Sequence, residues 1–370
     1  MKRFIHAVYT LLLMLALLGT ISTVRAAEPF EVHVLDVGQG QAVLIEADEH
    51  FMLIDGGGRS ASSFVISYLK QHGVDELDYA VVSHYDEDHM SGIIGVLNVF
   101  PVNILLLPGY AGDGDLYQSL AVAALSNGCA ILHPDTGMLL SLGTGQIDVV
   151  GPVRSDYPTD NNRSLGFRIG YGDTHVLVCG DAEQDSEIDM ADSGQDLSAD
   201  VYVADHHGSS TSSMDAFLES VNPAYAIISC GQDNGYGHPS METLQRLQNR
   251  AISMFRTDDQ GTIVACSDGT DIWFELPPSD NWAAGSGSVA LEMEPVESET
   301  LITRQVNTED ADGQQNDAEF RYVCNTNTKK FHEPDCSSVE KIKEKNRLNT
   351  NLTRDELIAE GYEPCGNCKP

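Results

Sequence analysis

The chain has 370 residues, of which 42% are hydrophobic and 7% are aromatic. A chain of this length and composition can bury the core of one large domain and a smaller one, which excludes wholesale disorder, a collagen-like repeat and a protein of many membrane spans. Its 56 acidic and 21 basic residues give a formal net charge of −35. Such a surface repels polyanions at long range, which argues against a sequence-specific DNA binder with a broad basic face.

The first 27 residues have the pattern of a secretory signal. Lys2 and Arg3 precede an apolar run from Tyr9 to Leu18, and Val24-Arg25-Ala26 gives the small-x-small pattern of a cleavage site. We expect this segment to direct export and to be cleaved; the alternative is an uncleaved anchor, since the apolar stretch can be extended to Val24. No later segment resembles a membrane span, so we expect a secreted or cell-envelope protein that keeps no transmembrane domain after cleavage.

Residues 28–278 alternate short apolar runs with stretches of helical spacing. The apolar runs predict buried strands, which include 32–35, 52–54, 79–82 and 176–178. The helical spacing predicts helices over 61–71, 91–100, 213–221 and 240–248. This alternation indicates an α/β domain, and the domain is strongly acidic because it holds 38 acidic residues and only 8 basic ones.

Two further segments follow this domain. Residues 279–319 are polar and acidic and include a Gly-Ser repeat, which predicts a flexible linker that cannot bury enough apolar surface to fold alone. Residues 320–370 have a third composition, with nine basic residues, eight acidic residues and four cysteines. We expect this tail to form a separate small module.

The segment from Ser83 to His89 has a high density of side chains that can bind metal. It follows the apolar run 79–82 directly and precedes a helix expected to open at Met90. Four of its residues can bind metal, namely His84, Asp86, Asp88 and His89. Such side chains at a strand end suit two adjacent cations, as two-metal hydrolases require. The alternative is a solvated acidic loop with incidental histidines.

Two later strand ends offer residues of the same kind. The run 176–178 leads into Asp181, and the run 201–204 leads into His206 and His207. A carboxylate after a strand and a glycine can bridge two cations, and a histidine pair can supply a further ligand and a contact to phosphate. Taken alone, Asp181 is equally well explained as a turn or cap residue, and one of the two histidines as packing.

Seven motifs follow one another along the chain. They are Leu35-Asp36-Val37-Gly38-Gln39-Gly40, Leu53-Ile54-Asp55-Gly56-Gly57, the run 84–89, Asn162-Arg163-Ser164-Leu165, Cys179-Gly180-Asp181-Ala182-Glu183, His206-His207-Gly208-Ser209 and Tyr236-Gly237-His238-Pro239. This order resembles the metallo-β-lactamase superfamily and, within it, the extracellular nuclease-like domain of the ComEC competence proteins, over residues 32–266. The resemblance implies an αββα four-layer sandwich, with two sheets back to back, helices on both outer faces and metals at one sheet edge.

The resemblance also implies roles for the matching residues. His84 and Asp86 correspond to ligands of one metal, and Asp86 stands where most superfamily members have a histidine. Asp88 and His89 correspond to ligands of the other metal. Asp181 corresponds to the carboxylate that bridges the two.

Other matching positions surround these ligands. His207 is favoured over His206 as the remaining ligand, which leaves His206 facing the scissile phosphate. His238 and Asn162 match pocket positions and are expected to contact the substrate or the transition state. Asp55 is expected to orient a metal-binding histidine from behind rather than to bind metal.

Two positions in the first motif bear on the same site. Asp36 is expected to play a part similar to that of Asp55. Gln41 stands where family members commonly have an acidic residue, and this departure leaves the substrate choice or the rate open while the ligands remain intact.

The implied mechanism is metal-assisted hydrolysis. Two divalent cations hold a water, lower its pKa and polarise the substrate oxygen, and Asp88 accepts the proton of the water. His206 and His238 donate to the developing negative charge. Because Asp86 supplies a carboxylate in place of an imidazole, manganese is as suitable as zinc.

The tail carries a second set of ligand types. His332, Cys336, Cys365 and Cys368 have spacings that suit a closed tetrahedral zinc site, and the tail resembles the zinc-binding module of the Ada DNA-repair protein. Cys324 departs from a four-ligand set, since it could replace His332 or form a disulfide. Two disulfides among the four cysteines are the alternative that an exported protein favours.

These observations lead to three functional hypotheses. The first is an exported metal-dependent phosphodiesterase or nuclease whose substrate is a phosphodiester, including single-stranded DNA. The second keeps the two metals but acts on another ester or a lactam at the cell envelope, since one fold supports many chemistries. The third is a non-catalytic protein that binds DNA or the cell wall through the tail.

Overall fold

The computed structural model describes residues 30–286 and parts of the segment 322–368. The described parts of that segment are 322–325, 328–334, 336, 338–343, 346–350, 354, 357, 362–365 and 368. The predicted signal, 1–27, and residues 287–319 of the predicted linker lie outside the described residues. The chain divides into two compact units, 1–293 and 294–370. None of the described helices is both long and apolar enough to cross a membrane.

The strands described in the first unit form two sheets. In chain order they are β1 (Phe30–Val34), β2 (Val43–Ala47), β3 (His50–Ile54), β4 (Leu77–Val81), β5 (Val102–Leu106), β6 (Ala130–Leu132), β7 (Leu139–Leu142), β8 (Gly145–Gly151), β9 (Gly166–Tyr171), β10 (Thr174–Val178), β11 (Val201–Val203), β12 (Tyr225–Ile228), β13 (Ser253–Arg256), β14 (Ile263–Ser267) and β15 (Ile272–Phe274). The first sheet has the order β15-β14-β1-β2-β3-β4-β5-β6, and the second has the order β13-β12-β11-β10-β9-β8-β7. Strands β3 to β6 pair in parallel, as do β10 to β13. Within each sheet the chain therefore leaves neighbouring strands at the same edge.

Helices cover the outer face of each sheet. In chain order they are α1 (Ser62–Gln71), α2 (Glu87–Leu97), α3 (Gly114–Asn127), α4 (Gln184–Asp192), α5 (Asp215–Val221), α6 (Met241–Asn249) and α7 (Thr257–Gln260). Leu69 of α1 packs on the first sheet and Phe217 of α5 on the second. A third apolar cluster, which includes Ile45 and Phe167, fills the space between the two sheets. These four layers confirm the predicted αββα sandwich.

The predicted helices and strands are found close to their expected bounds, with one difference that matters for the site. Helix α2 begins at Glu87 rather than near Met90, so Asp88 and His89 lie in its first turn. Asp86 precedes the helix in an extended conformation (φ −72°, ψ 150°). The reason is electrostatic: acidic residues are favourable at a helix N-terminus, where the backbone N–H groups point outward.

A close crossing of two backbones fixes α2 against the loop after β3. A Cβ atom on Gly92 would lie 1.8 Å from the carbonyl oxygen of Gly56, so neither position tolerates a side chain without a shift. The Gly56 amide donates to the His89 carbonyl (2.8 Å), and the Gly92 amide donates to the Gly57 carbonyl (3.0 Å). These contacts hold Asp55, which begins this loop, beside the first turn of α2.

Residues 279–286, at the start of the predicted linker, lie against the first unit. The Ser279 amide donates to the carbonyl of Met254 (2.7 Å), and the guanidinium of Arg256 donates to the carbonyls of Asn281 (2.9 Å) and Ala283 (2.7 Å). The ordered contacts of this unit therefore extend beyond the boundary expected at 278.

The second unit contains a small sheet. Its described strands are β16 (Tyr322–Asn325), β17 (Lys330–His332), β18 (Arg347–Thr350) and β19 (Glu363–Pro364), in the order β18-β16-β17-β19. A 3-10 turn, Val339–Lys341, lies between β17 and β18 along the chain. The sheet is short because a unit of this size has little core of its own.

Candidate metal centre

Most of the ligand-type residues expected from the sequence meet at one edge of the two sheets. His84 follows β4 of the first sheet, and Asp181 and His207 follow β10 and β11 of the second. Asp88 and His89 come from the first turn of α2. We call the five residues the central cluster: His84, Asp88, His89, Asp181 and His207. They converge because the carboxyl ends of parallel strands share an edge.

Asp181 lies in the middle of the central cluster. Its Oδ1 atom is 3.1 Å from His89 Nε2 and 3.5 Å from His207 Nε2, and its Oδ2 atom is 3.8 Å from His84 Nε2. On the far side, His207 Nε2 is 3.4 Å from Asp88 Oδ2 and 3.3 Å from His89 Nε2. The ligand atoms form two overlapping groups, each within 4.8 Å: His84, His89 and Asp181, and Asp88, His89 and His207.

Each imidazole of the central cluster is held through Nδ1, so that Nε2 faces the centre. Nδ1 of His84 is 3.1 Å from Ser83 Oγ. Nδ1 of His89 is 2.8 Å from Asp55 Oδ2, and Nδ1 of His207 is 2.9 Å from the Ser229 carbonyl. A metal-binding histidine ordinarily has such a partner on its other ring nitrogen, because the partner fixes the tautomer and the ring orientation.

Asp55 is the most constrained of these partners. It is fully buried and has a left-handed backbone (φ 59°), which Asp tolerates better than most residues. Its carboxylate accepts from the Ser83 amide (2.7 Å) and hydroxyl (2.7 Å), and from the amide of Gln41 (3.0 Å). Gln41 is thus a neutral donor to Asp55, which gives a physical reason for an amide at this position.

The atoms that face the centre have the properties of metal ligands. Nε2 of His84 and Oδ1 of Asp181 are buried and make no hydrogen bond among the described residues, although His89 Nε2 lies 3.1 Å from the latter. Burial alone would lower the pKa of His207, but Asp181 and Asp88 raise it to about 9. The cluster therefore favours positive charge strongly, and its mixed imidazole and carboxylate donors fit divalent metals.

The sequence comparison decides which family this geometry belongs to. The profile of the metallo-beta-lactamase superfamily matches residues 35–232. This chain belongs to the metallo-beta-lactamase superfamily. Members of the superfamily are generally metal-dependent hydrolases that use divalent metals, often two, so the prediction of a metal-dependent hydrolase is confirmed at that level.

Three relatives that the sequence comparison finds have names that refer to the ComE operon, to competence and to recombination. ComE operon protein 3 of Bacillus subtilis is 30% identical over 251 residues, 63% of this chain and 32% of that protein. Competence protein ComA of Neisseria gonorrhoeae is 31% identical over 234 residues, 63% of this chain and 31% of that protein. Recombination protein 2 of Haemophilus influenzae is 29% identical over 239 residues, 63% of this chain and 28% of that protein. This member of the superfamily spans about a third of the length of these relatives.

The two adjacent histidines of this superfamily member take different places. Both have left-handed backbones (φ 50° for His206 and 57° for His207), a strained turn that sends the two rings apart. His207 is buried and belongs to the central cluster. His206 is partly exposed, with Nε2 3.7 Å from Asp181 Oδ2 and Nδ1 3.5 Å from Glu183 Oε1. His207 is thus the histidine of the pair that lies in a ligand group, and the roles expected for the two residues stay predictions.

Asp86 and Asp36 do not belong to the central cluster. Asp86 Oδ2 is 3.7 Å from His84 Nε2, but the side chain is 52% exposed and lies outside both ligand groups. Its place before α2 turns it toward solvent, so its role as a ligand stays a prediction. Asp36 is exposed and accepts from the Gly38 amide (3.3 Å), and no contact with the central cluster is described for it, so a part like that of Asp55 is not supported.

The side-chain amide of Asn162 makes hydrogen bonds within the protein. Its Oδ1 accepts from the Glu183 and Ser186 amides (3.1 Å each), and its Nδ2 donates to Glu183 Oε2 (3.2 Å). These partners already use both ends of the amide, and the substrate contact expected for Asn162 stays a prediction. Asn162 also positions Glu183, which the sequence analysis did not single out and which faces His206.

His238 lines the centre on the side of His206 and His207. The ring centroids are 5.4 Å and 6.1 Å apart, respectively. Its Nδ1 is buried without a hydrogen bond among the described residues. Burial, with the neighbouring His207 and His206, lowers the pKa of His238 to about 4, so the ring is neutral at pH 7.

The second unit holds a separate cluster, which we call the C-terminal cluster: His332, Cys336, Cys365 and Cys368. Their ligand atoms lie within 4.8 Å of one another, and Nδ1 of His332 is buried without a hydrogen bond among the described residues. Cys324 faces away from them, since it packs with Phe331 in a different apolar cluster. The geometry therefore assembles the four ligand types that the spacing suggested, with Cys324 outside the set.

Proposed function

We propose that this protein is an exported metal-dependent phosphodiesterase that cleaves single-stranded DNA. The observation that supports it is the overlap of the two ligand groups, which share His89 and are joined by the two oxygens of Asp181. Two adjacent cations suit phosphodiester hydrolysis because they can stabilise both the attacking and the leaving oxygen. The ligands we assign are His84, Asp86 and Asp181 on one side and Asp88, His89 and His207 on the other, with manganese or zinc as the metals.

The chain supplies the proton transfers and the positioning. Bound cations would lower the pKa of a water and polarise the phosphoryl oxygen. Asp88 has a side chain 34% exposed, whereas that of Asp181 is 5% exposed, so the Asp88 carboxylate is the one that reaches solvent and accepts a proton. His238 is neutral and has one N–H to donate toward a phosphoryl oxygen, and His206 is positioned by Glu183 to do the same.

A pocket beside Asp88 is suited to a nucleotide. It has a volume of about 570 Å³ and is lined by Gln39, Gly58, Arg59, Ser60, Glu87, Asp88 and Tyr236. Tyr236 is 75% exposed, and its ring stacks on that of His238 with the centroids 5.7 Å apart. Arg59 is exposed and has no ion pair among the described residues. An exposed aromatic ring and a free guanidinium are the groups that stack a base and bind a phosphate.

The acidic composition of the chain favours a single-stranded nucleic acid over a duplex as the substrate. A duplex needs a broad basic surface, and the domain that carries the central cluster has only 8 basic residues against 38 acidic ones. A single strand that is held by a few local groups and by bound cations does not need such a broad basic surface. The names of the relatives, competence and recombination proteins, favour DNA over another phosphodiester.

The C-terminal cluster is proposed to hold one structural zinc. Three thiolates and one imidazole form the closed tetrahedral set that zinc prefers, and the metal would add folding free energy to a unit with a small core. Attachment to DNA or to the cell envelope is the proposed use of this unit.

The test is cleavage by the full-length chain loaded with Mn²⁺ or Zn²⁺. We expect turnover of single-stranded DNA and of bis(p-nitrophenyl) phosphate, and at least a hundredfold loss of kcat in Asp181→Asn. Asp185→Asn, the same change at an exposed position four residues away, is the matched control and should keep full activity.

The same metal-loaded sample separates the alternatives. Hydrolysis of a thioester or a cephalosporin, without cleavage of either phosphodiester, would show that the site acts on another class of substrate. Bound metal with no turnover of any of these compounds would overturn the hydrolytic proposal and leave a binding protein.

A further inference from the structure

Three ligand-type residues lie together on the first sheet, far from the central cluster. Glu31 and His33 are on β1, and Glu46 is on β2; we call them the β1–β2 cluster. Glu31 and Glu46 are direct partners in the antiparallel register, and His33, two residues after Glu31, has its side chain on the same face. Their ligand atoms lie within 4.8 Å of one another.

The β1–β2 cluster is at the opposite end of the sheet from the central cluster. Glu46 pairs with Phe51 at the start of β3, whereas Asp55 follows the end of that strand. Four residues of extended chain separate these two positions, which is about 13 Å. The two sites therefore share no residue.

His33 points a buried ring nitrogen at the two carboxylates. The residue is 1% exposed. Its Nε2 makes no hydrogen bond among the described residues, although Glu31 Oε2 lies 3.1 Å away. Its Nδ1 is 2.9 Å from the hydroxyl of Tyr68. When Nδ1 donates to Tyr68, Nε2 carries a lone pair toward the carboxylates, the arrangement that a metal-binding histidine has.

The surroundings attract cations. Two carboxylates directly opposite each other in a sheet repel one another, and a shared cation removes that cost. Glu46 also lines an open cavity of about 510 Å³, whose other acidic residues are Glu49, Asp75, Glu76 and Asp78. The cavity gives an ion a route from solvent and room for bound water.

We propose that Glu31, His33 and Glu46 bind a divalent transition-metal ion, independently of the central cluster. One imidazole and two carboxylates suit Mn²⁺ or Zn²⁺, since an imidazole is a poor ligand for Mg²⁺ or Ca²⁺. Tyr68 acts as the positioning residue that fixes the tautomer of His33.

Crystals of the full chain grown with Mn²⁺ provide the direct test. We expect an anomalous peak between the three side chains, in addition to density in the central cluster, which serves as the internal control. Occupied central ligands with no peak at the β1–β2 cluster, in both Mn²⁺ and Zn²⁺, would overturn the proposal.

Metal content after equilibrium dialysis is the second measurement. Glu31→Gln and Glu46→Gln should each bind one ion fewer per chain than the wild type. Glu76→Gln, the same change in the wall of the cavity, should bind the wild-type number. Tyr68→Phe keeps the three ligands and should lower the affinity for this ion by about 10- to 100-fold. Equal metal content in the Glu46→Gln and Glu76→Gln proteins would contradict the assignment.

Discussion

Oδ2 of Asp55 lies 2.8 Å from Nδ1 of His89, and both side chains are fully buried. The hydroxyl of Ser83 and the amide of Gln41 reach the same oxygen, so that three donors converge on it. A carboxylate with these contacts has one orientation available. It therefore fixes the direction in which Nε2 of His89 faces the central cluster.

Replacing Asp55 by Asn should weaken metal binding without unfolding the chain. Asn tolerates the left-handed backbone at this position but offers His89 a neutral oxygen. We expect the metal affinity of the central cluster to fall by about 10- to 100-fold, measured by equilibrium dialysis. Asp75→Asn, at an exposed position, serves as the control. Unchanged affinity in Asp55→Asn would show that His89 does not need this partner.

Gln41→Glu should destabilise the metal-free protein. The substitution removes the amide that donates to Asp55 and places a second carboxylate against it in a buried site. We expect the free energy of unfolding to fall by roughly 3 kcal/mol in urea with a chelator present. Gln118→Glu adds the same charge on the exposed surface of α3, where the change should stay within about 0.5 kcal/mol. A stable Gln41→Glu protein would mean that the loop relaxes to admit the charge.

Glu187 should make stability depend on pH. Burial raises the pKa of Glu187 to about 7, and the adjacent Asp205 also has a raised pKa because of burial and of Glu187. Between the ordinary carboxyl pKa and about 7 the native protein keeps a proton that the unfolded chain has lost, so stability falls as pH rises through this window. The slope for one proton is about 1.4 kcal/mol per pH unit at most.

The measurement is urea unfolding at several pH values between 5 and 8 with a chelator present. Glu187→Gln should have a shallower fall than the wild type, whatever its absolute stability. Asp185→Asn, on the exposed side of the same helix, should keep the wild-type slope. An identical slope in Glu187→Gln would assign the pH dependence to other groups.

Tyr236 and Arg59 should contribute to the binding of single-stranded DNA but not to the hydrolysis of a small substrate. Loss of a stacking ring costs about 1–3 kcal/mol per base, so Tyr236→Ala should raise the KM for single-stranded DNA by roughly 5- to 150-fold. Arg59→Ala should raise it as well and reduce its dependence on salt. Turnover of bis(p-nitrophenyl) phosphate should change little, and Tyr236→Phe should behave like the wild type. Equal losses of activity on both substrates would indicate that these residues act in the hydrolysis step rather than in DNA binding.

Chelation and reduction should affect the C-terminal unit differently. If the C-terminal cluster holds zinc, a strong chelator removes one ion per chain and unfolds this unit, whereas a reducing agent alone leaves it folded. Cys336→Ser should lose that ion, and Cys129→Ser in the first unit should retain it. Unfolding by the reducing agent with no release of zinc would identify disulfides.

The sequence predicted the parts of the site that follow directly from strand ends. His84, Asp181 and His207 each come shortly after an apolar strand, and a parallel sheet brings such positions to one edge. The role of Asn162 could not be predicted, because its partners, Glu183 and Ser186, are about twenty residues away along the chain. The exposure of Asp86 depends on the residue at which α2 begins. Capping and helix-dipole effects set that residue, and they are too small to be seen in the periodicity of apolar residues.

The central cluster joins residues that are distant along the chain. His84 and His89 belong to the half that forms the first sheet, whereas Asp181 and His207 belong to the half that forms the second. Ions held by both halves would act as cross-links between the two layers, and they would bind only when the layers are docked. Metal loading would then tie the unfolding of the two halves more tightly into one cooperative event, in addition to the apolar core that already holds the two sheets together.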